Sequence, residues 1–210
     1  MAQTTFIFRI THVDNLSSII ERGGEFSPNQ MTEQGLAKKS ISHDTIMDRR
    51  ARTPVPCGAG GSVADYVPFY FGVRSPMLYA IHMGNVDGCD AKQDDIVYLL
   101  SSADGVAESA LDFVFTNGHA IMGWTRFFTD LSDLKEVDLP LMKERYWSDT
   151  PEDPNRKWRR QAEFLVRDHM PWTEVRWIAT FNKTTEDKVQ ALLEKTPHKP
   201  KTAVKRDWYF

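Results

Sequence analysis

Cysteine is scarce in this chain. Cys57 and Cys89 are the two among 210 residues, they form no CxxC pair, and neither sits beside paired histidines. That excludes a disulfide framework and a cysteine-rich zinc site, and it fits a reducing compartment. Long apolar runs are also missing. No stretch approaches the roughly 18 residues that cross a bilayer, and Met1–Phe8 lacks the basic-then-apolar order of an export signal. The expectation is a soluble, cytoplasmic protein. Charge of neither sign is in excess: 26 Lys+Arg against 29 Asp+Glu leave a formal net charge of −3. A general polycation coating nucleic acid is excluded, a local basic site is not. There is no GxxxxGK[ST], no HExxH and no GxSxG. The six histidines, at 12, 43, 82, 119, 169 and 198, are scattered singly, so no metal is expected.

What is present is ordinary globular material, 41% hydrophobic and 26% charged. A chain of this length buries roughly 70% of its unfolded surface and needs no metal to hold a core. One domain over residues 1–210 is expected. Thr4–Ile10 reads as a strand and Asn15–Arg22 as a helix, with Asp14 as its cap and Gly23-Gly24 as its stop. Glu25–Asp44 reads as loop or short helical pieces, and Pro54–Gly61 as a turn-rich connection. Tyr66–Phe71 is a strand that Pro68 assigns to a sheet edge or a bulge. Further strands are expected at 95–100, 112–116, 162–167, 174–181 and 202–210, and a helix at 184–195. The segment 131–141 is ambiguous, 148–155 is a polar, Pro-rich surface loop, and the loop from Ser148 to Arg160 is expected to be mobile without a ligand. Strands outnumber helices without alternating with them, which indicates an α+β fold with a largely antiparallel or mixed sheet.

Four features bear on chemistry. Gly58-Ala59-Gly60-Gly61 begins like a dinucleotide fingerprint, but Val63 stands where the third glycine belongs, so a plain turn is the better reading. Arg9-Ile10-Thr11-His12, with Asn15 beyond it, places an imidazole and an amide at a strand end, either to bond a ribose or simply to cap the strand. The run 65–71, DYVPFYF, has four aromatics that either stack on flat rings or fill the core. Arg156-Lys157-Trp158-Arg159-Arg160 puts four cations around a tryptophan, suited to a single-stranded nucleic-acid groove or to a solvated loop. Just after it, Gln161 and Glu163 share a face if both lie in one strand. A carboxylate beside an amide suits glycosidic bond cleavage, the carboxylate stabilising an oxocarbenium-like sugar cation.

At these residues the chain resembles the DarT family, toxins of bacterial toxin–antitoxin systems that ADP-ribosylate DNA. The matching blocks are RITHxDN at 9–15, the stretch from Arg50 to Gly61 ending VPCGAGG, DYVPFYF at 65–71 and SPML at 75–78. VFTNGHA at 114–120, RRQAEFLV at 159–166 and WYF at 208–210 complete them. Some relatives have TDSH where this chain has TNGH, which leaves His119 intact.

The resemblance implies an ADP-ribosyltransferase-like fold, with a central split sheet, flanking helices and NAD in the cleft between the halves. It implies Glu163 as the catalytic glutamate on the nicotinamide ribose. Arg50 is implied near the diphosphate or the reacting base, with Arg49 and Arg52 as competitors for that place. Thr11, His12, Asn15, Tyr70 and Gln161 are implied around NAD. Met77, His119, Lys157, Arg159 and Arg160 are implied along the DNA, with bases unstacked against the aromatic run. The implied reaction is transfer of ADP-ribose from NAD, the co-substrate, to a base of single-stranded DNA. Thymine is the expected base, with guanine, a protein or an RNA as alternative acceptors. A catalytically silent single-strand-binding module is the rival that needs no chemistry. The implied partner is DarG, a macrodomain antitoxin.

Overall fold

The computed structural model describes residues 4–41 and 44–210, so the expectations that touch Met1–Gln3, Ser42 and His43 lie outside it. The elements in chain order are β1 (Phe6–His12), α1 (Leu16–Glu21), β2 (Gly24–Phe26), α2 (Pro28–Glu33), α3 (Asp44–Arg52), β3 (Tyr66–Tyr70) and α4 (Pro76–His82). Then come β4 (Ile96–Ser102), α5 (Ala103–Glu108), β5 (Phe113–His119), β6 (Phe127–Phe128) and α6 (Arg156–Arg159). The chain closes with β7 (Ala162–Arg167), β8 (His169–Pro171), β9 (Trp177–Thr180), α7 (Lys183–Leu193) and β10 (Lys201–Val204).

Eight strands form one sheet in the order β10-β9-β4-β1-β3-β7-β5-β6. Only β9 and β10 pair in parallel among the described strands. The fold is α+β with a mixed, mainly antiparallel sheet, as the strand-rich sequence indicates. Alternation sets its two faces. Ile7, Val67, Phe69, Phe164, Val166 and Phe115 share one buried cluster, while Tyr66, Leu165 and Val114 pack on the opposite side. The β1–β4 half repeats the pattern: Val97, Leu99 and Ile178 pack beneath α1 and α7, and Ile10, Tyr98 and Leu100 pack beneath α4 and the chain's last residues.

The halves barely join. β1 and β3 share a single register pair, Phe8↔Tyr70, whereas β1 pairs with β4 over seven positions. Pro68 explains the gap. Its carbonyl is taken by the Arg9 guanidinium at 3.1 Å, so its backbone edge faces β1. On that side it has no N–H to extend the ladder. The expectation of an edge strand is therefore corrected: β3 is interior, and Pro68 ends its pairing on one side only, toward β1.

Other departures are local. Asn15, not Asp14, takes the cap position of α1. The segment 131–141 begins with a 3-10 helix, Leu131–Glu136, and a second one, Leu141–Lys143, starts at its end. The last expected strand ends at Val204, and Arg206–Trp208 is a turn that delivers Tyr209 into the core. No helix among the described residues is long and apolar enough to cross a membrane.

Candidate active site

The splayed join between β1 and β3 opens a cleft lined by Arg9, Ile10 and Thr11 from β1, Pro68 and Tyr70 from β3, Glu163 from β7 and His119 from the end of β5. Ile46, Met47 and Arg50 of α3, with Lys38, Lys39 and Ile41 from the loop before it, cover one side, and Met77 of α4 lies on the rim. Register brings the floor together: Tyr70 lies opposite Glu163 in the β3–β7 ladder, one strand from the Phe8 join. Phe164 points into the aromatic cluster on one face, so Glu163 points into the cleft.

Glu163 is 2% exposed and fully held. Its Oε2 accepts from Arg50 Nη1 at 2.7 Å, and its Oε1 from the Ala120 backbone N–H at 3.3 Å. A bulge in β5 makes the second contact possible. The β5–β7 ladder is interrupted between Phe115 and His119, and the Thr116 hydroxyl fills the break. It accepts the Glu163 N–H at 2.9 Å and donates to the Gly118 carbonyl at 2.7 Å. The re-aimed strand end carries Ala120 over the carboxylate. Gly118 is obligatory there, since a Cβ would lie 2.1 Å from the Trp158 ring.

Arg50, rather than Arg49 or Arg52, reaches the carboxylate; Arg49 is directed to Met122 Sδ and Arg52 is exposed. Arg50 is itself buried, and its Nε and Nη2 have no partner among the described residues. Two charge-bearing donors of a cleft-lining residue thus lack a described acceptor, as expected of a group that completes its bonds on a ligand. Burial, and then the Glu163 charge, push the Tyr70 hydroxyl well above its ordinary range, so it stays a donor. A second pair, Arg9 Nε to Glu25 Oε1 at 2.9 Å, braces the cleft from behind. Burial raises the Glu25 carboxyl, but Arg9 and Lys38 more than offset it and hold the group below its usual value.

Several sequence-stated roles are corrected. Gln161 precedes β7 and lies in a turn, where its Nε2 donates to the Lys157 carbonyl at 2.9 Å; it does not share the Glu163 face. Arg160 is 1% exposed and bonds the Val73 carbonyl and Met142 Sδ, so it is an internal strut rather than a DNA contact. Arg159 is engaged by Asp138 at 3.0 Å and Asp153 at 2.6 Å, which staples the 148–160 segment that was expected to be loose. Of the aromatic run, Tyr66, Phe69 and Phe71 are core, and Tyr70 alone reaches the cleft.

At the other wall, Asn15 spends its amide on the covering loop. Its Oδ1 accepts the Lys39 N–H at 2.8 Å, and its Nδ2 donates to the Lys39 carbonyl at 3.0 Å and to the Thr11 hydroxyl at 3.2 Å. His12 Nδ1 accepts the Asp14 N–H at 3.1 Å, the capping role, while its Nε2 is buried without a partner among the described residues. The Gly58–Gly61 turn directs its Gly60 carbonyl to Tyr66 Oη and Arg167 Nη1, each at 2.8 Å, and is no phosphate cradle. Thr116, the Ala120 N–H and the Lys38-Lys39 loop escaped the sequence reading. A threonine or a backbone N–H has no chemical signature until a bulge aims it. Among the described residues no group of His, Cys, Asp and Glu is placed to hold a metal.

Burial lowers the pKa of His12, His119 and His169 below the ordinary 6.5. Below that value the unfolded chain binds protons that the folded chain refuses, so stability is full above the window and falls as pH drops through it. Thermal unfolding between pH 7 and 5, above the range where carboxylates titrate, should lose a few degrees in Tm. His169→Gln, stacked on Phe26 away from the cleft, should reduce that slope; an unchanged slope would remove His169 from the effect.

The family model described as DarT, ssDNA thymidine ADP-ribosyltransferase, matches residues 8–210. A DNA ADP-ribosyl transferase of Thermus aquaticus is 40% identical over 210 residues, covering 98% of this chain and 89% of that protein. The structure of Thermus sp. 2.9 DarT with ADP-ribosylated ssDNA superposes with a TM-score of 0.91 at 37% identity, covering all of both chains. Its complex with NAD+ gives 0.89 at 36%, covering 100% of this chain and 99% of that one. A Thermosipho africanus fusion of DNA ADP-ribosyl transferase and DNA ADP-ribosyl glycohydrolase is 24% identical over 163 residues, spanning 76% of this chain and 38% of the fusion.

Proposed function

This chain belongs to the DarT family of single-stranded DNA thymidine ADP-ribosyltransferases, and from that premise we propose how its own residues carry the reaction. It is an NAD-dependent enzyme that ADP-ribosylates single-stranded DNA, with NAD as co-substrate. The observation that carries the residue assignment is the buried Glu163–Arg50 pair at the floor of the cleft, with two Arg50 donors left over.

Glu163 accepts a hydroxyl of the nicotinamide ribose and sets a fixed negative charge beside the anomeric carbon. Positive charge grows there as the nicotinamide bond breaks, and the enclosed carboxylate needs no reorganisation to meet it. Arg50 holds that carboxylate in place and uses its free donors on the substrate. A guanidinium is a poor base, with a pKa above about 12, so Arg50 orients the attacking base or stabilises anionic charge on it. His119, whose pKa burial holds below its ordinary value, lines the same cleft. Thr11 and Tyr70 offer hydroxyls to NAD, and Met77 packs at the rim where the base enters. Asn15 serves NAD through the Lys38-Lys39 loop it clamps. A single strand is the fitting acceptor, since exposing a base from a duplex costs a few kcal/mol.

The reading extends to a cytoplasmic toxin held in check by a macrodomain antitoxin of the DarG type. The Thermosipho fusion, which joins transferase and glycohydrolase in one chain, supports that pairing. Mass spectrometry of a mixed-sequence single-stranded oligonucleotide incubated with the protein and NAD tests the acceptor. A gain of one ADP-ribose, located on thymine by fragmentation, is expected. NAD consumed with no gain on DNA would move the acceptor to protein or RNA.

A further inference from the structure

The peptide group that donates to Glu163 is held from its other end. The Ala120 N–H and the His119 carbonyl are opposite poles of one peptide unit. That carbonyl accepts the Thr125 hydroxyl at 2.6 Å and the Met122 N–H at 3.1 Å, which occupies both of its lone pairs. A trans peptide is planar, with its N–H directed away from its C=O, so an anchored oxygen fixes where the N–H points. One residue earlier, the Gly118 carbonyl is taken by the Thr116 hydroxyl at 2.7 Å. Two threonines, one on each side of the turn, thus hold two successive carbonyls of the bulged segment.

Thr125 is oriented in its turn. Its oxygen accepts the Trp158 Nε1–H at 2.9 Å, which leaves its single proton for His119. The half-buried Trp158 ring fills the space that Gly118 leaves open. Both neighbours of Trp158 are anchored. The Lys157 N–H donates to Asp149 Oδ1 at 2.8 Å, and the Arg159 guanidinium meets Asp138 and Asp153. The Gln161 N–H closes on the Trp158 carbonyl at 3.2 Å. Neither Thr125 nor Trp158 is among the described residues that line the cleft.

The bonds run in series, from the Trp158 N–H to the Thr125 hydroxyl, to the His119 carbonyl, and across the peptide from the Ala120 N–H to Glu163 Oε1 at 3.3 Å. Each donor in such a chain polarises the next. Arg50 holds Oε2 from the opposite side at 2.7 Å. The last torsion of a glutamate is soft, so the plane of the carboxylate is set only while both oxygens are held.

We propose that Thr125 and Trp158 are positioning residues for the transfer, acting through the His119–Ala120 peptide to fix the plane of the Glu163 carboxylate. The inference rests on Glu163 being the catalytic carboxylate, as read above. Without the Thr125 hydroxyl the His119 carbonyl keeps one partner, the peptide tilts, and Oε1 loses its donor. NAD binding is spread over the whole cleft and changes little. The alignment of the carboxylate on the ribose, which counts in the transition state, is what suffers.

The test is single-turnover transfer to a thymine-containing single-stranded oligonucleotide at saturating NAD, read by mass spectrometry, with NAD affinity measured by calorimetry. Thr125→Val keeps the shape and removes the donor. It should slow transfer about tenfold, the worth of one aligned hydrogen bond, and leave NAD affinity within about twofold of wild type. Thr125→Ser restores the hydroxyl and should recover the rate to within about twofold. Trp158→Phe keeps the ring against Gly118 and loses the N–H, for a loss of about threefold that adds nothing to Thr125→Val, because members of one series are not additive. In a Glu163→Gln background Thr125→Val should have no further effect, whereas damage to the fold at large would slow that background too and weaken NAD binding. Wild-type transfer by Thr125→Val, a Thr125→Ser protein as slow as Thr125→Val, or an undiminished effect beside Glu163→Gln overturns the relay and leaves the role of Glu163 standing. Near wild-type transfer by Glu163→Gln alone overturns the catalytic reading on which the relay depends.

Discussion

Glu163→Gln is expected to lower ADP-ribose transfer by about a thousandfold, with NAD still bound and the chain still folded. The substitution keeps the shape and an acceptor oxygen for the Ala120 N–H and removes the negative charge. In a water-poor cleft a charge aimed at the developing transition-state charge supplies on the order of 10²–10³ in rate, and here the carboxylate is the whole of it. The amide also leaves Arg50 without its ionic partner, so stability should fall as well. Single-turnover labelling of a thymine-containing oligonucleotide, read by mass spectrometry beside thermal unfolding, separates the two effects. Transfer within tenfold of wild type would refute Glu163 as the catalytic carboxylate.

Arg50→Ala should be the most destabilising change in the cleft, costing about 3–5 kcal/mol, because it strands a buried carboxylate that keeps only one backbone N–H. Transfer should be lost with it. Arg50→Lys should recover part of the stability but little transfer, since a compact ammonium cannot hold Oε2 and present two further donors at once. The pair can be isolated by a double-variant cycle in urea. Glu163→Gln combined with Arg50→Met should be more stable than the sum of the two single changes by more than 1 kcal/mol. Additive losses would show that the 2.7 Å contact contributes nothing to the folded state.

Part of the cleft's lining was legible because it depends on residue type at a place in a strand. AEFLVR at 162–167 is a strand, with the carboxylate near its start, and the basic run before it contains the accessible Lys157. The same logic misled where type was taken for exposure. Arg156–Arg160 reads as one cationic patch, yet one member is the largest fully buried side chain and another is tied to two aspartates. The DYVPFYF run reads as a ring-binding surface, yet alternation sends Phe69 into the core and only Tyr70 to the cleft. Asn15 lines the cleft where a ligand amide was expected, and its amide also clamps the loop at Lys39.

By itself the sequence determined a strand-rich α+β fold with no disulfide framework, and its ordered motif blocks carry the resemblance to the family the chain belongs to. The fold class follows from composition and two-residue periodicity, the family from residue identity in those blocks. Only the tertiary structure decided which arginine meets Glu163, that Pro68 ends the β1–β3 ladder and opens the cleft, and that Gln93 holds Phe210. These are contacts across 113, 59 and 117 residues of separation. Such contacts depend on register and on a bulge at Thr116, and a one-residue slip in pairing turns every side chain of a strand to the opposite face.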